Sequence, residues 1–168
     1  MAPIKFFTTG GTIDKVYFDA ASAFEVGESV IEHILREALV DYDVESVSLM
    51  RKDSLEMTDA DRAAIRDAVA ADPATRVIVT HGTDTMVDTA RALEGLPDKT
   101  IVLTGALTPA RFRSTDAIFN IGMAVAAAQS LPPGVYVAMS GQVFEADTVV
   151  KNRDRNRFER RPAQTASE

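Results

Sequence analysis

Apolar residues in this chain fall in short blocks, separated by segments with helical spacing or clusters of turn residues. Val77-Ile78-Val79 and Ile101-Val102-Leu103 are unbroken apolar runs, the pattern of strands covered on both faces. Similar runs predict strands over 4–8, 44–49, 76–80, 100–103 and 135–139. Helices are predicted over 28–39, 59–71, 85–93 and 115–128. Thr58 with Asp61 three residues on predicts a capping box at the second helix, and Gly95 followed by Pro97 stops the third. Alternating strands and helices imply parallel pairing through crossover connections. The expected fold is α/β, a three-layer sandwich with a mostly parallel, Rossmann-like sheet flanked by helices.

One stretch departs from the amphipathic rule. From Ala117 through Phe144 no residue is charged, and the helix inside it is apolar nearly all round. Such a helix is expected to be buried on more than one side. A flanking helix of one small sheet normally keeps a wet face, so a subunit interface is expected here, in a homodimer or higher homo-oligomer. Pro132 and Pro133 interrupt the stretch, so it does not read as a membrane span.

Composition narrows the chemistry. A chain of 168 residues is enough for one domain with a substantial core. There is no cysteine, which removes disulfides, thiolate metal ligands and a Cys nucleophile. With two histidines and no cysteine, no metal is expected. The net charge of −7 argues against nucleic acid as a partner. The basic stretch 151–161 reads as a solvated or subunit-facing segment. Met1-Ala2-Pro3-Ile4-Lys5 leads directly into a strand, so a cytoplasmic location is expected.

Two turns carry the candidate chemistry. Thr9-Gly10-Gly11-Thr12-Ile13 follows the first strand, and His81-Gly82-Thr83-Asp84-Thr85-Met86 follows the third. Open parallel sheets bind ligands beyond the carboxyl ends of their strands, so both turns lie on that edge. Their glycines let backbone approach a ligand closely and expose amides that could hold an anion or an oxyanion. Read singly, each turn is equally a tight connection or a phosphate-binding turn, though neither Gly-x-Gly-x-x-Gly nor the Walker pattern is complete. His81, at a strand end, reads as a structural hydrogen-bonder. His33, in mid-helix, reads as structural or exposed.

Read together, the two motifs resemble the bacterial-type L-asparaginases, amidohydrolases with a threonine nucleophile. The resemblance runs from Ile4 to about Asn152. It implies Thr12 as nucleophile, with Gly11 beside it, and Thr83 and Asp84 as catalytic or substrate-holding groups next to Gly82. Asp53-Ser54-Leu55-Glu56-Met57 resembles the family's substrate loop, which implies that Asp53 and Ser54 meet the substrate and that Ser54 holds its α-carboxylate. Asp147-Thr148-Val149-Val150-Lys151 resembles the segment carrying the family's lysine, which implies Lys151 as base or electrostatic anchor. Gly105-Ala106-Leu107-Thr108-Pro109, with Asp116 and Phe119-Asn120, resembles the stretch after the fourth strand and implies Ala106 at the substrate. The family's tyrosine on the segment after the nucleophile is matched to Tyr17, although a near-gapless alignment would put Phe24 there. Residues 14–27 would then act as a lid. The implied reaction is hydrolysis of L-asparagine to L-aspartate and ammonia without a cofactor, with glutamine or another small amide as the alternative substrate and a non-catalytic amino-acid-binding module as the alternative role.

Two departures stand out. Leu55 occupies the place where many relatives have a glutamine that helps hold the substrate. Relatives also carry a second, smaller domain. The expectation is a short form, with a catalytic domain over 1–152 and a basic tail over 153–168.

Overall fold

The structure is a computed structural model, and it describes residues 3–18 and 23–162. Its centre is a six-stranded sheet. The strands are β1 (Ile4–Gly10), β4 (Val44–Lys52), β5 (Arg76–Thr80), β6 (Thr100–Thr104), β7 (Gly134–Met139) and β8 (Gln142–Glu145). Their spatial order is β4-β1-β5-β6-β7-β8. Every pairing is parallel except β7 with β8, which is antiparallel. The mostly parallel α/β sandwich expected from the sequence is the architecture found.

Among the described residues four helices cover the sheet: α1 (Ile31–Glu37), α2 (Asp59–Ala71), α3 (Met86–Leu93) and α4 (Ala117–Ser130). The alternation of side chains along each strand divides the core in two. Phe6, Ile78 and Val102 pack with residues of α1 and α4 on one face. Phe7, Val77, Val79, Ile101 and Leu103 pack with residues of α2 and α3 on the other. Central strands buried on both faces explain the unbroken apolar runs. The capping box is present in both directions, with Asp61 N–H donating to Thr58 Oγ1 and Thr58 N–H donating to the Asp61 carboxylate.

The structure differs from the sequence reading in three places. The 14–27 connection is not a plain loop: after a short 3-10 turn (Thr12–Asp14) it forms a hairpin of β2 (Lys15–Phe18) and β3 (Ala23–Val26). Residues beyond 152 do not start as a free tail, because β10 (Arg157–Arg160) pairs antiparallel with β9 (Val149–Asn152). Phe158 is the physical reason, since it is fully buried in the α2/α3 core and ties the basic segment down. Residues 163–168 of the expected tail lie outside the described residues. Helix α4 buries Ala117, Asn120, Ile121, Ala124, Ala127 and Ala128 against the sheet, while Ile118 and Phe119 face outward and are more than half exposed. Within one chain, then, the helix keeps an open face, and that face is apolar. Among the described residues no helix is long and apolar enough to cross a membrane.

Candidate active site

Strands β4, β1, β5 and β6 are neighbours in the sheet, and all four end on the same edge. Their following turns meet there. At the end of β1 the register against β4 shifts between Thr8 and Gly10, a bulge that redirects the chain. Gly11, at φ 88°, sits so close to the next turn that a Cβ on it would run into the backbone of Gly82. A Cβ on Gly82 would in turn lie 2.6 Å from Ser54 Cβ and Oγ. A Cβ on Gly105 would strike the carbonyl of His81. Three glycines thus let four turns touch, two of the contacts backbone to backbone and one against the Ser54 side chain.

Hydrogen bonds fasten that junction. Thr9 Oγ1 donates to the carbonyl of Thr80 at 2.8 Å, tying β1 to β5. Ser54 is buried; its Oγ accepts from Asp84 N–H at 3.2 Å, and its carbonyl accepts from Thr85 Oγ1 at 2.7 Å. The Asp116 carboxylate accepts from Leu107 N–H and Thr108 N–H, each at 3.0 Å, and holds the turn that carries buried Ala106. Asn120 Nδ2 donates to the Gly105 carbonyl at 3.0 Å and so anchors the same turn from α4.

The charged centre lies beside this junction. Lys151 reaches in from β9, and its ammonium donates to Thr83 Oγ1 and to Asp84 Oδ1, both at 2.7 Å. Thr83 is buried, whereas the Asp84 side chain is one-third exposed. A hydroxyl, a carboxylate and an amine separated by 67 or 68 residues in the chain are therefore one hydrogen-bonded group.

Thr12 opens the 3-10 turn directly after Gly11 and is half-buried. Its hydroxyl has no hydrogen-bond partner among the described residues. Tyr17 lies on the hairpin, opposite Phe24 in register, with the two rings 5.4 Å apart and edge to face. Its ring is 54% exposed, and no described residue bonds its hydroxyl. Thr12, Thr83, Asp84, Ser54, Gly11, Gly82, Ala106 and Lys151 thus gather at the turn junction, while Tyr17 stands on the hairpin beside it. Asp53 has both carboxylate oxygens engaged within the protein. Oδ2 pairs with Lys15 Nζ at 2.7 Å, and Oδ1 accepts from Leu55 N–H at 3.1 Å. The Lys15 ammonium holds the Asp53 carboxyl below the usual range, assisted by the Leu55 amide and the charge of Lys151. Leu55 itself is 66% exposed.

His81 takes the structural role read for it. It is fully buried, with Nδ1 at 2.7 Å from the Gly82 carbonyl and Nε2 at 2.8 Å from Thr89 Oγ1. Burial pushes its pKa down to about 4, so the ring is neutral near pH 7. His33 is exposed and faces Glu37 at 3.5 Å.

Two residues escaped the sequence reading. Asp14 is fully buried two positions after Thr12, and its carboxylate accepts Val30 N–H at 3.0 Å. Burial raises its pKa to about 6, although the Val30 amide and the charges of Arg111 and Arg51 pull the other way. Lys15 is the other, since only the fold brings it to Asp53. The one signal for either is local: charged residues stand immediately after an apolar strand and turn, where the helix or strand pattern does not call for them.

Comparison with known proteins points to one family. The family model described as asparaginase, N-terminal, matches residues 3–163. A Haemophilus influenzae protein named a probable periplasmic L-asparaginase is 31% identical over 160 residues, which cover 88% of this chain and 46% of that protein. A glutaminase-asparaginase of Acinetobacter glutaminasificans is 39% identical over 92 residues, covering 52% of this chain and 28% of its own length. The solved thermostable L-asparaginase from Thermococcus kodakarensis superposes with a TM-score of 0.82 at 27% identity, over 94% of this chain and 51% of that one. The chain spans under half the length of those two sequence relatives and about half of that structure. Matched along nearly its whole length, it belongs to the asparaginase family, in the part corresponding to the family's N-terminal domain.

Proposed function

We propose that this chain hydrolyses the side-chain amide of L-asparagine, giving L-aspartate and ammonia, with Thr12 as nucleophile. The observation that carries this reading is the Lys151 ammonium bridging Thr83 Oγ1 and Asp84 Oδ1 at 2.7 Å, beside the turn that bears Thr12. Amide hydrolysis by a hydroxyl needs a nucleophile, a route for its proton and donors for the oxyanion. Thr12 Oγ1, unbonded among the described residues, attacks the amide carbon. Backbone amides of the glycine turns stabilise the tetrahedral oxygen. The C–N bond then breaks, the nitrogen leaves as ammonia with the proton from Thr12, and an ester on Thr12 remains. Water activated by the Thr83–Asp84–Lys151 group hydrolyses that ester and restores the hydroxyl. Tyr17 shares the Thr12 proton once the hairpin closes on a substrate. Ser54 receives the α-carboxylate and Asp84 the α-ammonium, with Gly11, Gly82 and Ala106 lining the pocket. In this reading Asp53 belongs to the substrate loop through its place next to Ser54.

The apolar face of α4, with Ile118 and Phe119 exposed, supports association with a second copy. A strictly monomeric sedimentation profile would remove that part of the proposal.

A second reading keeps the chemistry and extends it to glutamine. Exposed Leu55 in place of the family's glutamine, and the relative named glutaminase-asparaginase, favour it. One methylene in a pocket is worth only about 1–3 kcal/mol, so both amides can be substrates. The deciding experiment measures ammonia release from millimolar L-asparagine and L-glutamine, with Thr12→Ala as control. Thr12-dependent release that favours asparagine supports the first reading. Equal release from both supports the second. No release from folded protein overturns both.

A further inference from the structure

The hairpin β2–β3 is anchored at its base and by two side chains of one face, and the three anchors differ in kind. At the base, the Asp14 carbonyl accepts Gly27 N–H at 2.9 Å, and the Asp14 side chain holds Val30 N–H. From β3, Phe24 packs on Phe112 of the segment after β6, with ring centroids 5.9 Å apart. From β2, Lys15 Nζ meets Asp53 Oδ2 at 2.7 Å. This last contact joins the hairpin to the turn that carries Ser54, one residue beyond Asp53.

Strand geometry gives the ion pair its consequence. Lys15 and Tyr17 are two residues apart on β2, so their side chains leave the same face of the strand. Whatever fixes Lys15 therefore also fixes which way Tyr17 faces. Asp53 has a matching double engagement, because its second oxygen accepts Leu55 N–H and shapes the 3-10 turn Ser54–Glu56. The pair thus connects the orientation of the hairpin's tyrosine to the shape of the Ser54 turn. The Lys15 and Asp53 side chains are 25% and 30% exposed, too well covered to be a freely solvated surface pair. The field of Lys151 also reaches Asp53, which puts the pair at the rim of the charged centre.

We infer that Lys15 and Asp53 are positioning residues, a latch that holds the hairpin against the Ser54 turn and so sets substrate affinity. The inference rests on the amide-hydrolase reading for its kinetic readout but not for its structural one. Asp53 acts through Ser54 and Lys15 through Tyr17; neither has to touch the reacting atoms.

The test uses Lys15→Met, Asp53→Asn and the charge-conserving Lys15→Arg, all in the full chain. Asp53→Asn keeps an acceptor for Leu55 N–H and drops only the charge, so it remains informative if Lys15→Met folds poorly. Lys15→Met and Asp53→Asn are each expected to raise KM about tenfold, with kcat falling less than in Tyr17→Phe. Hydrogen exchange at residues 15–18 and 23–26 should speed up by about the same factor. Lys15→Arg should stay within threefold of the unaltered chain in both. Sodium chloride at 0.5 M should raise KM of the unaltered chain more than that of Lys15→Met, because the variant no longer has the Lys15–Asp53 pair to screen. Unchanged KM in both Lys15→Met and Asp53→Asn, or a Lys15→Arg variant no better than Lys15→Met, overturns the latch. Faster exchange with unchanged KM overturns it as well, since the hairpin would then be held without any effect on substrate. If the unaltered chain releases no ammonia, or releases it without Thr12, the functional reading has failed instead. The latch is then judged by exchange alone, and faster exchange in Lys15→Met and Asp53→Asn that Lys15→Arg does not show upholds it.

Discussion

The turn junction and the hairpin flank the same Thr12 and are built in opposite ways. At the junction, turns pack closely through glycines, and Ser54 and Thr83 are buried with partners inside the protein. On the hairpin, Tyr17 and Phe24 are each about half exposed, and so is Phe112, on which Phe24 packs. The junction is pre-organised: its groups hold their mutual positions with no substrate present. The hairpin is fastened by an ion pair, an aromatic contact and an anchored base, which a substrate could rearrange. Catalytic power should therefore be most sensitive to changes at the junction, and affinity to changes that loosen the hairpin's anchors.

The sharpest break of that comparison is at the junction. Thr12→Ala and Thr83→Ala should each lower ammonia release on the order of 10³-fold or more. Their melting temperatures should stay close to that of the unaltered chain, because both residues lie in turns outside the two cores. Near-normal turnover by Thr83→Ala would dissolve the proposed site. Lys151→Met should follow, with kcat falling about 10²-fold or more and KM moving less; the opposite pattern in steady-state kinetics would make Lys151 a binding residue.

Changes on the hairpin should be milder. Tyr17→Phe keeps the ring contact with Phe24 and removes only the hydroxyl, so kcat should fall by roughly 10-fold to 10²-fold with little change in stability. Phe112→Ala removes an aromatic contact worth about 0.5–1.5 kcal/mol, which should appear as a severalfold rise in KM at constant kcat. A large loss of kcat in Phe112→Ala would mean that the hairpin is part of the rigid apparatus after all.

At the hairpin's base the effect is on pH-dependent stability and not on turnover. Asp14 has its pKa raised to about 6 in the folded chain, above the value of 3.8 for an unperturbed Asp. Between these values the folded state holds a proton that the unfolded state has released, so the contribution of Asp14 is fully present below about pH 4 and is lost as pH rises through about 6. His81 works the other way. Its folded pKa of about 4 lies below 6.5, so stability falls as pH drops through that interval. Comparing Asp14→Asn with the unaltered chain at the same pH cancels the histidine. The melting temperature of Asp14→Asn relative to the unaltered chain should be higher at pH 7.5 than at pH 4.5, by an amount equivalent to roughly 2 kcal/mol. Parallel curves would show that the buried carboxylate is relieved some other way.

Much of this molecule is legible along the chain. Short, β-branched apolar runs such as Val77-Ile78-Val79 read as strands covered on both faces, and the Thr58–Asp61 cap acts within four residues. Parallel order follows from strand–helix alternation, and the two Gly–Thr turns necessarily fall on the carboxyl edge. These are local or periodic properties, so they survive without knowledge of the fold. The hairpin 15–18 with 23–26, the seating of Phe158 and the Lys15–Asp53 contact were not legible, because each depends on residues distant in the chain or on a few short-range pairings that no period betrays. The same holds for the charged centre. Sequence by itself determined which hydroxyls, acid and amine are present and that they belong at strand ends. Only tertiary structure decided that Lys151 crosses 67 residues to lie 2.7 Å from Asp84, that Gly11 rests on Gly82, and that Tyr17 waits on the hairpin while Thr83 is locked in the junction. The physical reason is that burial and hydrogen-bond geometry belong to the packed chain, while residue type and spacing belong to the written one.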